Sequence, residues 1–390
     1  MSEDRKLITW QPVLTDHQAF TFQELARQAG APVLAYVMTM EDATRKAQGW
    51  ADTQVSSVER RLIPKRRTLI YCYRELLAHR QDVHVFGSAF QNSTMIGCLL
   101  IARWLGIEFY LISEPYSPLA QGYLSDGAKL LNRVKALARP LFYRAYAVVL
   151  RRKLSGIFAI SKRAVAQYQA AGIAPAKLFP FGYFVPRIID APTPLSASPG
   201  PQKSVLRVVF VGTLIATKGL DVLIEAMRSL QLKGQDICLD VFGPGDPQNF
   251  TFDGQYVRYC GRIPFGNTQK VVASYDLLVL PSRYDGWGVV VNEALCAGVP
   301  VICSDQVGAG AIIDKFGAGA RFASGDAPAL AALLAKLASD RSCLQTMREG
   351  AAKAAVAIQP GIAAAYMLAV IRAPQEGKSL IATPWYLASS

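Results

Sequence analysis

The feature that most constrains this chain is an alternation that recurs on both sides of its midpoint. Short apolar, β-rich runs are separated by stretches of helical length: "APVLAYVMT", "DVHVFGSA" and "IEFYLIS" early, then "VLRVVFVG", "ICLDVFG", "DLLVLPS" and "GVPVICSD" late. A near-continuous apolar strand is buried on both faces, and a parallel neighbour is reached by a crossover helix that covers one of them. Strands interleaved with helices therefore predict an α/β fold with parallel sheets built from βαβ units in both halves. Between the halves, "DAPTPLSASPGPQKS" (190–204) is rich in Pro, Ser, Ala and Gly and reads as a linker. With 390 residues, 51% of them hydrophobic, the chain is long enough for two cores, a first domain over 1–189 and a second over 205–365.

Charge divides the halves. Residues 1–200 hold 25 Lys and Arg against 14 Asp and Glu, a net of +11, whereas residues 201–390 hold 17 against 15, a net of +2. A polyanionic partner is expected for the first domain alone, either nucleic acid or an anionic membrane surface. Nucleic acid is disfavoured, because no zinc signature or reader motif occurs and the phosphate-type loops lie in the half with little net charge. Seven cysteines, odd in number and without a C-x-x-C pair, indicate neither a zinc site nor a disulfide framework. No apolar run reaches membrane-spanning length and "MSEDRKLITW" leads into no signal-peptide core, so a cytoplasmic location is expected.

Two junctions in the second half carry chemistry. The run "VVFVG" (208–212) leads through Gly212 to Lys218 and Gly219, which stand just before a helix with apolar residues at 220, 223, 224 and 227. A glycine at a strand's carboxyl end allows close approach by a ligand, and a helix N-terminus with a nearby lysine suits a phosphate. The second junction is "VLPSRYDGWGVVVNEALCAGVPVICSD" (279–305), where Asp285 and Glu293 stand eight positions apart around Gly286 and Gly288. A helix beginning near Gly288, with Gly298 as its C-cap, puts Asp285 on the loop and Glu293 about a turn and a half along. The amides at 287–289 then suit a diphosphate, and the two carboxylates suit polyols on either side of it. They read as clamps for sugar hydroxyls at the two ends of a nucleotide sugar.

These residues resemble the retaining GT-B glycosyltransferases of family four, the glycosyl transferases group 1. The family's two acids around a glycine-aromatic-glycine loop, an apolar helix and a "G-x-P-V-I" strand are matched by Asp285, Gly286, Trp287, Gly288, Glu293, Ala294, Gly298, Pro300, Val301 and Ile302. "FVG" with Lys218-Gly219, "VFGPG" (241–245), "YCGRIP" (259–264) and "SDQVGA" (304–309) occur in the family's order. The resemblance implies two Rossmann-like domains facing a crevice, with the last segment, 366–390, crossing back to the first. It implies that Glu293 binds the donor ribose, Asp285 contacts the transferred sugar and the backbone of Gly286, Trp287, Gly288 and Val289 holds sugar and diphosphate. Lys218 would neutralise the leaving diphosphate without an obligatory metal or other cofactor, and Arg262 lies where the family positions the base. Two departures stand out: the first acid is Asp285 rather than Glu, and Thr213 replaces the family's usual arginine after "VG".

On the acceptor side, "PVLTDHQAF" replaces the family's glycine-rich loop, with Thr15 or Asp16 expected to cap a helix and His17 in its first turn. Glu114, in "EFYLISEPYSP", stands about where many relatives carry a histidine near the transferred sugar. His17 and Glu114 join Lys218 and Asp285 as candidate catalytic residues. Basic residues gather at "ERRLIPKRR" (59–67) and through 129–153, where Lys129, Arg133, Arg144, Arg151 and Arg152 interleave with Leu130, Leu137, Phe142, Tyr143, Tyr146 and Leu150, and Pro140 breaks or kinks the run. A basic helix with aromatics suits an anionic bilayer, and an ordinary surface helix with a buried stripe is the other reading. The expected activity is transfer of a hexose, with retention, from a nucleotide diphosphate sugar to a glycan or lipid-linked acceptor, in bacterial-type surface polysaccharide or lipopolysaccharide assembly. It is placed at the cytoplasmic leaflet as a peripheral protein. An epimerase on the same architecture and a catalytically inactive nucleotide-sugar-binding protein stand as alternatives.

Overall fold

The computed structural model describes residues 5–40, 55–87, 92–117, 130–188 and 205–386; the linker read at 190–204 lies outside them. Among the described residues the first sheet has seven strands: β1 (Leu7–Gln11), β2 (Val33–Val37), β3 (Val58–Leu62), β4 (Val83–Gly87), β5 (Phe109–Ser113), β6 (Leu154–Ile160) and β7 (Leu178–Phe181). Their spatial order is β3-β2-β1-β4-β5-β6-β7. The second sheet holds β8 (Leu206–Val211), β9 (Ile237–Phe242), β10 (Val257–Tyr259), β11 (Leu277–Leu280), β12 (Val301–Ser304) and β13 (Gly319–Phe322). Its order, β10-β9-β8-β11-β12-β13, repeats the first. All pairings in both sheets are parallel.

This order positions the site. In each sheet the chain winds outward on one side of its first strand and then returns to the other side, so the loops leaving β1 and β4, and those leaving β8 and β11, diverge. A crevice opens at the carboxyl ends of the strands at such a switch point. The two apolar faces of the first sheet are covered separately. The helices Asp16–Ala29 and Pro360–Arg372 pack on each other and on one face, while Thr68–Ala78, Ser93–Trp104 and Leu130–Leu150 contribute buried side chains to the other.

The last segment crosses back earlier than residue 366, because the helix Pro360–Arg372 already lies against Asp16–Ala29 and the boundary drawn at 365 falls inside it. Gln28 Nε2 donates to Gly361 O at 2.8 Å. Farther on, Lys378 Nζ donates to the Tyr110 hydroxyl at 2.7 Å, Tyr386 donates to Phe181 O at 3.0 Å, and Trp385 is fully buried with its ring 4.4 Å from that of Phe184.

Three local readings are refined. The helix after the glycine loop runs Val289–Cys296, with Ala297 at its C-cap and Gly298 the left-handed residue after it. One helix, Leu130–Leu150, continues through Pro140. Of the apolar residues picked out there, Tyr146 and Leu150 are core, whereas Leu137 and Phe142 are exposed beside Val134, Leu141, Val148 and Val149. Lys129 lies outside the described residues. All seven cysteines are free thiols, four of them buried.

Candidate functional site

Between the two domains lies a crevice of about 530 Å³, the size of a small-molecule site. Every residue proposed from the sequence lines it: His17 and Glu114 from the first domain, and Gly212, Lys218, Arg262, Asp285, Gly286, Trp287, Gly288, Val289 and Glu293 from the second. They converge because each stands at or just beyond the carboxyl end of a strand, or on the helix that such a loop opens. His17 follows β1, Glu114 follows β5, Gly212 and Lys218 follow β8, Arg262 follows β10, and the loop 281–288 follows β11.

The glycine loop is built for close approach. Gly288, at φ 90°, turns the backbone through the left-handed region that glycine tolerates and opens the helix Val289–Cys296. The first amides of that helix have no intrahelical acceptors and carry the positive end of its dipole. Gly219, at φ 67°, does the same for the helix Leu220–Leu232, and its position is tighter still, since a Cβ there would stand 2.1 Å from Pro281 O. That contact brings the Lys218 turn against the strand end that leads into the glycine loop.

Lys218 and Asp285 meet as a result. Lys218 Nζ donates to Asp285 Oδ2 at 2.6 Å, with both side chains mostly covered. Glu293 faces the crevice from the helix, and burial pushes its carboxyl up to about 7 against the opposing pull of a hydrogen bond with Thr268. Trp287 lines the crevice through its backbone turn while its side chain is buried at 2% exposure. The indole N–H donates to Tyr183 O at 3.1 Å and Asn292 Oδ1 at 2.9 Å, which pins the loop from beneath.

The first-domain wall is equally ordered. Thr15 caps the helix Asp16–Ala29, its N–H answered by Gln18 Oε1 at 3.3 Å, and His17 in the first turn is buried with Nε2 2.9 Å from Thr15 Oγ1. The Tyr183 hydroxyl donates to Glu114 Oε1 at 2.6 Å, and the His17 ring centre lies 4.0 Å from that of Tyr183. The domains touch beside the loop, where Tyr284 donates to Pro115 O at 2.8 Å and Arg163 Nη2 to Gln306 Oε1 at 2.5 Å. Sequence reasoning missed Tyr183 and Asp16, which also line the crevice. Tyr183 carries no motif, and Asp16 was visible only as a capping candidate.

Two Rossmann-like domains of parallel strands, facing each other across a crevice lined by their carboxyl-end loops, constitute the GT-B fold. Residues 206–340, within the second domain, match the family model of the glycosyl transferases group 1. A putative teichuronic acid biosynthesis glycosyltransferase, TuaC of Bacillus subtilis, is 36% identical over 107 residues, 27% of this chain and 26% of that protein. A phosphatidyl-myo-inositol mannosyltransferase of Mycobacterium leprae is 26% identical over 256 residues, 62% of this chain and 67% of that protein. The alignments with TuaC and with the amylovoran biosynthesis glycosyltransferase AmsK of Erwinia amylovora span only 26% and 36% of the length of those proteins. Among solved structures, Anabaena HepE in complex with UDP superposes with a TM-score of 0.68 at 13% identity, covering 94% of this chain and 99% of that one. WaaG, a glycosyltransferase involved in lipopolysaccharide biosynthesis, does so with a TM-score of 0.62 at 17% identity over 94% and 100%.

Proposed function

We propose that the protein is a retaining glycosyltransferase that moves a hexose from a nucleotide diphosphate sugar to a glycan or lipid-linked acceptor in surface polysaccharide or lipopolysaccharide assembly. The observation that carries this reading is the arrangement of Lys218, the Gly286–Gly288 turn and Glu293 around one helix N-terminus in an interdomain crevice. In it, Glu293 accepts hydrogen bonds from the ribose, the 287–289 amides and Lys218 receive the diphosphate, and Asp285 with the loop backbone holds the hexose. Arg262 stands at the base end. As the glycosidic bond breaks, negative charge grows on the leaving diphosphate, and a preorganised lysine and helix N-terminus stabilise it most when it is largest. The charge is met by residues of the chain, so the reading calls for no metal. Retention rests on the family resemblance, and the pathway on relatives named for teichuronic acid and lipopolysaccharide biosynthesis.

The acceptor approaches along the wall of His17 and Glu114, and the reading seats the first domain on the inner face of the cytoplasmic membrane. Support comes from three adjoining helices. Tyr73 and Trp104 bring their rings to 6.0 Å, linking Thr68–Ala78 to Ser93–Trp104, and Arg103 Nε donates to Val149 O at 2.6 Å, linking Ser93–Trp104 to Leu130–Leu150. These helices expose Ile70, Leu100, Trp104, Leu137 and Leu141, with Arg144, Arg151 and Arg152 exposed on or just after the last helix. Among the described residues no single helix is long and apolar enough to cross a membrane. The test is a thermal-shift panel of UDP, GDP and ADP, followed by release of the preferred nucleoside diphosphate from its hexose conjugates with and without lipid-linked acceptor. Stabilisation by none of the three nucleotides would sink the donor reading.

A further inference from the structure

Tyr183 lies where three separately encoded parts of the crevice meet. It follows β7 on the chain leaving the first sheet, and it is buried. Its carbonyl holds the Trp287 indole beneath the glycine loop, its ring lies against His17, and its hydroxyl donates 2.6 Å to Glu114 Oε1. A short bond from a buried, packed phenol fixes which way a carboxylate faces, because the phenol cannot turn to follow it. The other oxygen of Glu114 is thereby held over the donor loop: a Cβ placed on Gly286 would stand 3.4 Å from Glu114 Oε2. Asp285, the next residue back, brings a second carboxylate to the same end of the crevice, and the adjacent Lys218 is engaged by it.

We infer that Tyr183 is a positioning residue that aims Glu114 at the transferred sugar, and that Glu114 and Asp285 together make this subsite select a neutral hexose over a hexuronate. The inference rests on the donor reading above and adds the class of sugar to it. An ionised carboxylate only accepts hydrogen bonds, so it rewards a hydroxyl, which has a proton to donate. A carboxylate on the sugar would have no proton to offer, and once the donor diphosphate draws Lys218 away from Asp285 it would face two uncompensated carboxylates in a partly desolvated space. The structure thus supplies both the attraction for one class and the repulsion against the other, which is what discrimination requires.

Calorimetric titration separates this inference from the donor reading. The bare nucleoside diphosphates UDP, GDP and ADP are titrated first; then the hexose and hexuronate conjugates of the preferred base, UDP-glucose against UDP-glucuronate or GDP-mannose against GDP-mannuronate, are titrated. The intact chain is compared with Tyr183→Phe, Glu114→Gln and the double variant. Tyr183→Phe keeps the ring under His17 and the carbonyl under Trp287, removing the hydroxyl alone. The intact chain is expected to bind the hexose form at least tenfold tighter than the hexuronate. Each single variant should shrink that ratio fivefold or more, with bare-nucleotide affinity moving less than twofold. The double variant should match Glu114→Gln if the hydroxyl acts through the carboxylate, as inferred. Normal nucleotide binding with an unchanged ratio in Tyr183→Phe and Glu114→Gln, or additive losses in the double variant, would overturn the inference while leaving the donor reading standing. Absence of binding by all three nucleotides would remove both.

Discussion

Lys218 Nζ and Asp285 Oδ2 lie 2.6 Å apart although 67 residues separate them in sequence, so a lysine suited to phosphate and an acid suited to sugar neutralise each other. On the proposed reading, a diphosphate must compete for that lysine. The pair is mostly covered, which makes removal of either partner consequential for the one left behind.

The two substitutions should therefore act in opposite directions on binding. Asp285→Asn releases Lys218 and is expected to tighten the bare nucleoside diphosphate several-fold, about 1 kcal/mol, while lowering turnover by loss of a sugar contact. Lys218→Ala should cost turnover on the order of a hundredfold, more than it costs donor affinity, because its charge matters most as the leaving group forms. Titration and steady-state kinetics on both variants decide the point; the same direction of change in nucleotide affinity would contradict the competition.

Glu293 gives a pH signature. Its carboxyl is raised from 4.5 to about 7 by burial, which penalises the ionised form. The sign follows: the stability this group contributes is present below 4.5 and is lost as pH rises through about 7. Ribose hydroxyls favour the ionised form, so nucleotide binding should strengthen from pH 6 to 8 and release a proton. Glu293→Gln should flatten both dependences, and Glu293→Ala should weaken the nucleotide by roughly 1.5–3 kcal/mol. Calorimetry in buffers of different ionisation heat reads the proton directly, and pH-independent binding by the intact chain would refute the assignment.

Much of the second domain was legible because its chemistry is local. Gly288, Val289 and Glu293 belong to one strand-loop-helix unit, and the periodicity that marks the helix also states where the acid falls on it. The first domain was less open to reading for a physical reason. β3, "VERRL", is an edge strand with exposed charges that discourage further strand pairing, so it reads as basic surface; in the fold Arg61 is already paired with Glu59 at 2.8 Å. Tyr183 was invisible because its value lies in contacts 69 residues back to Glu114 and 104 residues on to Trp287, which no local pattern encodes. The Lys218–Asp285 contact was hidden in the same way, each residue being recognisable and their meeting depending on how β8 and β11 sit side by side.

Metal removal tests how the leaving group is met. If Lys218 and the helix N-terminus carry the diphosphate's charge, transfer measured after exhaustive chelation should stay within about twofold of the untreated rate. A loss restored by a divalent cation would assign that charge to a metal instead.

The outer face of the first domain supplies the last prediction. Trp104, Leu137 and Leu141 are 73%, 64% and 66% exposed, which is unusual for large apolar side chains gathered on adjoining helices, and Arg144, Arg151 and Arg152 are exposed nearby. Apolar area alone would bind any bilayer, and basic residues alone would bind any polyanion. The combination favours an anionic leaflet, each arginine near the surface contributing about 1 kcal/mol, screened over about 10 Å at moderate salt. Co-sedimentation should thus occur with vesicles containing anionic lipid, fall as salt rises, and be weak with neutral vesicles. Reversing Arg144, Arg151 and Arg152 to Glu should release the protein, while nucleotide binding in the second domain persists. Leu137→Ser with Leu141→Ser should weaken binding at every salt concentration, separating the apolar part of the attraction from the charged part. Equal sedimentation with neutral and anionic vesicles would refute the electrostatic contribution, and no sedimentation with either would leave a soluble glycan as the acceptor.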